Sequence, residues 1–140
     1  MSKVYIFGPI HLFGEDYLPV YKHLRSLCQK YFDEVICTYP DFWDSKESPR
    51  EFYERTYKTV TKCDLFIGET SAPSIGVGME LQMAQERDIP CIVLCKNGVE
   101  PSVMAIGIPC TKKIIYYDTL DDLSGQIEAA IAEIKLKHKI

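Results

Sequence analysis

Five short apolar runs recur along the chain, each too short for a helix and closed by breaking residues: Lys3–Phe7 (KVYIF), 34–38 (EVICT), 64–68 (DLFIG), 90–95 (PCIVLC) and 113–117 (KIIYY). Their β-branched and aromatic residues read as buried strands. Helical patterns lie between them. The first, 15–31, follows an acidic start and places Leu18, Tyr21, Leu24, Leu27 and Cys28 on one stripe, with Pro19 tolerable only in a first turn. The second opens with Ser48-Pro49-Arg50-Glu51, a capping box with proline at the first helical position. It runs to Lys62, with Phe52, Tyr53, Tyr57 and Val60 as its expected buried face. The third starts at Gly76–Gly78 and runs to Arg87, and a short helical turn falls near 102–105. The last starts at Thr119 and carries Leu123, Ile127, Ala130, Ile131 and Ile134 at helical spacing.

The order is therefore βαβαβαβ(α)βα. Strands alternating with helices call for parallel pairing and right-handed crossovers. The expected fold is α/β, a doubly wound five-stranded parallel sheet, flavodoxin-like or Rossmann-like, in a three-layer sandwich. One domain spans residues 1–140, as expected for a chain of this length.

In such sheets ligands bind outside the carboxyl ends of the strands. Three segments converge there: 8–14, 39–47 (YPDFWDSKE) and 69–80. The last, ETSAPSIGVGME, leads small residues into a helix with two glycines at its mouth. Gly76 and Gly78 let a ligand approach the backbone, the free N–H groups of the helix start favour an anion, and Ser74 adds a hydroxyl. This pattern suits one phosphate. It is neither a Walker A loop nor the dinucleotide fingerprint. The plainer reading of the glycines is a tight turn with close helix packing. Glu80 lies one turn inside that helix, between Met79 and Leu81. Its helical position aims it back toward the mouth, and a carboxylate in an apolar run is costly unless paired or functional. The plainer reading of Glu80 is a solvated helix face. Tyr5, in mid-strand, reads as core, and its hydroxyl reaches Glu80 if strands one and three are neighbours. His11, in the first loop, is a candidate to face a ligand; His23 and His138 carry little.

Composition narrows the partners. With 46% hydrophobic and 26% charged residues and a net charge of −4, the chain is ordinary globular protein without a basic face for nucleic acid. Lys135, Lys137 and Lys139 read as a solvated helix end. No run approaches the ~18 apolar residues of a membrane span, and Met1-Ser2-Lys3 leads straight into a strand. Neither nucleic acid nor membrane is an expected partner. The six cysteines are dispersed without a CxxC pair and read as reduced thiols of a cytoplasmic protein. Cys91 and Cys95 share a strand face and read as core rather than as metal ligands. No metal or cofactor is expected.

With these residues in hand, the chain resembles the nucleoside 2-deoxyribosyltransferase superfamily, and within it the 2'-deoxynucleoside 5'-phosphate N-hydrolase branch. The resemblance covers most of the chain. Its most specific part is CDLFIGETSAPSIGVGMEL, from Cys63 to Leu81, similar without a gap to that branch's pattern. VYIFGPI, Gly14-Glu15-Asp16 and Pro101-Ser102-Val103-Met104 are similar to further elements of the family. The resemblance implies a homodimeric enzyme acting on a small nucleotide or nucleoside. Glu80 takes the place of the nucleophile and Tyr5 that of the tyrosine that orients it. Ser74 falls where the branch binds phosphate, Ser102 matches a phosphate-binding serine from the neighbouring subunit, and Gly8 and Ile10 match the loop beside sugar and base.

The chain departs from the family at one important position. Eight residues before Asp64, where the family has an acid that assists the base or leaving group, stands Thr56. Glu54 lies on another side of that helix, and His11, Asp41 or Asp44 are candidates to supply the missing acid. The first loop also differs, with His11-Leu12-Phe13 in place of a stretch bearing glycine and arginine. The leading expectation is hydrolysis of the N-glycosidic bond of (deoxy)nucleoside 5'-monophosphates. The alternatives are base exchange, as in a 2-deoxyribosyltransferase, and a non-catalytic nucleotide-binding module.

Overall fold

The computed structural model describes residues 1–12, 15–38 and 46–140, with residues 11, 12, 15 and 16 described by their backbone alone. In chain order the elements are β1 (Lys3–Phe7), β2 (His11–Leu12), β3 (Glu15–Asp16), α1 (Leu18–Cys28), β4 (Glu34–Cys37) and α2 (Pro49–Val60). They continue with β5 (Leu65–Glu69), α3 (Ile75–Glu86), β6 (Cys91–Lys96), α4 (Val103–Gly107), β7 (Thr111–Tyr117) and α5 (Leu120–His138). The main sheet has five strands in the order β4-β1-β5-β6-β7, every neighbouring pair parallel. The α/β fold and the doubly wound parallel sheet are those expected from the alternating pattern.

Strand periodicity sorts the core into two layers, because successive side chains point to opposite faces. Val4 and Ile6 of β1, Leu65 and Ile67 of β5, and Ile92 and Leu94 of β6 pack with α1 and α5 on one face. Tyr5 and Phe7, Phe66, and Cys91 and Val93 pack with residues of α2, α3 and α4 on the other. The ring of Tyr5 stacks on Phe7 at 5.3 Å between centroids and meets Phe66 edge-on at 5.2 Å, so its position is fixed from two sides. Register places Tyr5 opposite Ile36 of β4 and Phe66 of β5. Strands one and three of the sequence pattern are thus neighbours.

Three local expectations are corrected. The first helix starts at Leu18 rather than at Glu15, because Glu15 and Asp16 pair antiparallel with Leu12 and His11. Pro19 enforces this: without an N–H it belongs in the first turn, where the structure puts it. The inner face of α2 is also rotated. Thr56 and Val60 are buried, Phe52 is half-buried and Tyr53 is 44% exposed. The inward stripe runs along 52, 56 and 60, while Tyr57 keeps its hydroxyl near the surface, accepting from Arg87 Nη2 at 3.3 Å. The capping box at Ser48 forms in both directions, as its sequence predicts. Finally, β7 begins at Thr111 rather than at Lys113.

Candidate active site

Glu80 sits in the second turn of α3, where Leu81, Ala84 and Val77 turn inward and carry it toward the sheet. It is 8% exposed, so the solvated-face reading does not hold. Its Oε2 accepts a hydrogen bond from the Tyr5 hydroxyl. The same phenol oxygen lies 2.5 Å from Thr38 Oγ1, just past β4. Because the phenol gives its one proton to Glu80, Thr38 donates to Tyr5. Burial pushes the Glu80 carboxyl up to about 7, with the Tyr5 hydrogen bond working in the opposite direction. Burial, and then the Glu80 charge, hold the Tyr5 phenol well above its ordinary range, so it keeps its proton and remains a donor.

The other oxygen of Glu80 faces the helix mouth. A side chain built on Gly76 would lie 3.9 Å from Glu80 Oε1 and 3.9 Å from Ser74 Oγ. The absence of a side chain at 76 therefore keeps open the space between hydroxyl and carboxylate. Ser74 is the N-cap of α3, its Oγ accepting from Val77 N at 3.3 Å. Gly78 is exposed, with nothing within 4 Å of the place a side chain would take.

Ser74 has a second neighbourhood. It lines a groove of about 880 Å³ between the start of α3 and the α4 region, together with Ser102, Gly78 and Val103. Ser102 caps α4 through its hydroxyl, which accepts from Ala105 N at 3.3 Å. Glu80 and Tyr5 do not line this groove. The structure thus brings Tyr5, Glu80, Gly76 and Ser74 together on one side and Ser74, Gly78 and Ser102 on the other.

The remaining predicted residues separate. Gly8 is buried: a side chain there would lie 2.2 Å from the Tyr21 hydroxyl and 2.9 Å from Glu69 Cβ, so packing alone requires glycine. Ile10 is half-buried, next to Pro9, whose carbonyl accepts from the Tyr21 hydroxyl. The side chain of His11, and Asp41 and Asp44, lie outside the described residues. Thr56 is 5% exposed, and its Oγ1 has no hydrogen-bond partner among the described residues. No group of three or more His, Cys, Asp or Glu side chains among the described residues could hold a metal ion.

Sequence reasoning missed two groups. Thr38 carries no signal beyond its place at the end of a strand. Glu69, at the end of β5, is wholly buried and accepts from the Tyr117 hydroxyl and from Ser71 N at 2.5 Å. An acidic residue closing an otherwise apolar strand is the sign that would have found it.

No family model matches the chain. A protein of Syntrophotalea carbinolica named "Putative 2'-deoxynucleoside 5'-phosphate N-hydrolase 1" is 31% identical over 144 residues, covering 98% of this chain and 99% of its own. The CMP N-glycosidase BcmB of Clostridium botulinum superposes with a TM-score of 0.66 at 16% identity, over 92% of this chain and 99% of that one. A 2-deoxyribosyltransferase from Bacillus psychrosaccharolyticus gives 0.64 at 14% identity, over 93% and 96%. The two structures share the fold. The chain belongs to the family of its Syntrophotalea relative.

Proposed function

We propose that this protein hydrolyses the N-glycosidic bond of (deoxy)nucleoside 5'-monophosphates, with Glu80 as nucleophile and Tyr5 orienting it. The observation that carries this reading is the buried Tyr5–Glu80 pair, with Oε1 facing the side-chain-free space at Gly76 beside Ser74. A 5'-phosphate held by Ser74 and the N–H groups at the start of α3 brings C1' of the sugar toward the carboxylate one turn below. As the C1'–N bond breaks, its electron pair leaves with the base and positive charge develops on the sugar ring. Glu80 in its ionised form stabilises that charge and bonds to C1'. Water then adds to C1' and releases the carboxylate, and the proton that the water loses is the one taken up by the departed base. Tyr5 stays protonated throughout and stabilises the carboxylate form through its O–H. Ser74 favours a phosphorylated substrate over base exchange, because a hydroxyl suits phosphate where an acid suits a free sugar hydroxyl.

The same reading gives a homodimer in which Ser102 reaches the phosphate of the neighbouring subunit. Ile75, Val103 and Met104, 79–86% exposed around the groove, are its supporting apolar surface.

Thr56 supports a second reading, a module that binds nucleotide without turnover, since its hydroxyl cannot transfer a proton at neutral pH. Release of free base from a panel of nucleoside monophosphates separates the two, with Glu80→Ala as control. Ligand-dependent thermal stabilisation of the wild type without release is the outcome that favours the binding module.

A further inference from the structure

Outside this site the molecule holds a second chemically distinctive pair. Cys91 opens β6 and Cys110 immediately precedes β7, and the ladder between these strands is irregular at Cys91 and Ile92. Cys91 N donates to the Cys110 carbonyl at 2.8 Å, which holds the two backbones together. The two sulfurs are 3.6 Å apart, with the Cys91 thiol donating to Cys110 Sγ. A disulfide needs ~2.05 Å, so a closing movement of roughly 1.5 Å suffices.

We propose that Cys91 and Cys110 form a reversible oxidation site, with a peroxide as the oxidant, Cys110 as the attacking thiol and Cys91 as the resolving one. Both are buried, at 0% and 4% exposure, but Cys110 lines a cavity of about 290 Å³ with Gln85, Lys112 and His138, roomy enough for a peroxide. Cys91 does not line it. The hydrogen bond from Cys91 holds the Cys110 thiol below its ordinary range against the effect of burial, and Lys112 adds to this. That same hydrogen bond, with burial, holds Cys91 above its range, so it keeps its proton.

The chemistry balances. The Cys110 thiolate attacks the O–O bond of hydrogen peroxide, giving a sulfenic acid and hydroxide, and the hydroxide takes up the thiol proton lost from Cys110 as water. The Cys91 sulfur then displaces the sulfenic hydroxyl, which leaves as a second water with the Cys91 proton. Two thiols are oxidised by two electrons and one peroxide is reduced. The Cys110 thiol also lies 3.6 Å from the Leu81 carbonyl, its acceptor on α3, next in sequence to Glu80. Oxidation removes that bond. The site does not depend on the glycosidase reading.

The test treats the native chain with a slight excess of hydrogen peroxide, blocks free thiols after denaturation and measures intact mass and tryptic peptides. The expected result is uptake of four blocking groups instead of six, restored to six when dithiothreitol precedes the block, with peptide 88–96 joined to 97–112. Fragmentation of the joined pair assigns the link to Cys91 and not to Cys95. In Cys91→Ala, Cys110 is expected to accumulate a dimedone-reactive sulfenic acid. In Cys110→Ala, Cys91 is expected to stay unmodified at the same dose. Absence of the link in the wild type, or a link made through Cys95, overturns the proposal, and neither result requires a variant to fold.

Discussion

The Tyr5 hydroxyl donates to the Glu80 carboxylate from a strand centre, and Thr38 donates in turn to Tyr5 across 2.5 Å. Such a chain polarises in one direction. The threonine strengthens the phenol as a donor, and the phenol stabilises the charge on Glu80 that burial opposes.

Glu80 links stability and activity to pH in opposite senses. Its carboxyl stands at about 7 in the fold against an ordinary 4.5, so the native state binds the extra proton. The associated stability is fully present below 4.5 and is lost as pH rises through about 7, amounting to about 3 kcal/mol at most. Glu80→Gln removes this dependence. Denaturant melts from pH 4.5 to 8 are expected to show the wild type falling relative to the variant. In the proposed reaction Glu80 acts in its ionised form, so kcat/KM is expected to rise with pH through the same range. A flat difference between the two melting series removes the buried-acid account.

Tyr5→Phe keeps the ring that stacks on Phe7 and Phe66 but deletes the proton given to Glu80. Thr38 loses its partner, at about 1 kcal/mol of stability. The carboxyl moves further upward, so the rising limb of the pH–rate profile shifts alkaline. Turnover at pH 7 is expected to drop by about tenfold or more. An unshifted profile contradicts the orienting role.

Thr56 gives two outcomes with separate readouts. Its buried hydroxyl lacks a partner among the described residues, so the nearly isosteric Thr56→Val is expected to stabilise the protein by about 1 kcal/mol in chemical denaturation. Thr56→Asp supplies the acid that the family resemblance assigns to this position. It is expected to raise base release by about a hundredfold at some cost in stability, in line with general acid–base catalysis. Unchanged turnover in a folded Thr56→Asp variant counts against a leaving-group role at this position.

Gly8→Ala is expected to destabilise by about 2 kcal/mol or more, because the new methyl group meets the Tyr21 hydroxyl at 2.2 Å and Glu69 Cβ at 2.9 Å. Thermal melts check this. A neutral effect would show that Tyr21 moves aside freely.

The sheet was legible because the strands are short runs rich in apolar residues, and because the helices after β4 and β7 start where the sequence places them, at the capping box of Ser48 and at Thr119. The N-cap role of Ser74 was not, because the glycines at 76 and 78 draw the expected helix start past it. The hairpin of β2 and β3 was not, since two-residue strands carry no period. The α2 face was misjudged because tyrosines count as apolar in a pattern while their hydroxyls seek water. Glu80 and Tyr5 were readable as candidates from helix geometry and strand neighbours. Thr38 was not, because its role arises from a residue 33 positions away; Glu69 carried a sign, an acid closing an apolar strand, but its partner Tyr117 lies 48 positions away.

The Tyr5–Thr38 and Tyr5–Glu80 contacts join positions 33 and 75 apart along the chain. No stretch of polypeptide that stops short of either Tyr5 or Glu80 can hold all three. A fragment lacking β1 has no phenol to share, and one ending before α3 has no acid to receive it. Whatever chemistry this trio performs therefore requires the first strand to be clamped between its two neighbours, and is lost when that clamp opens.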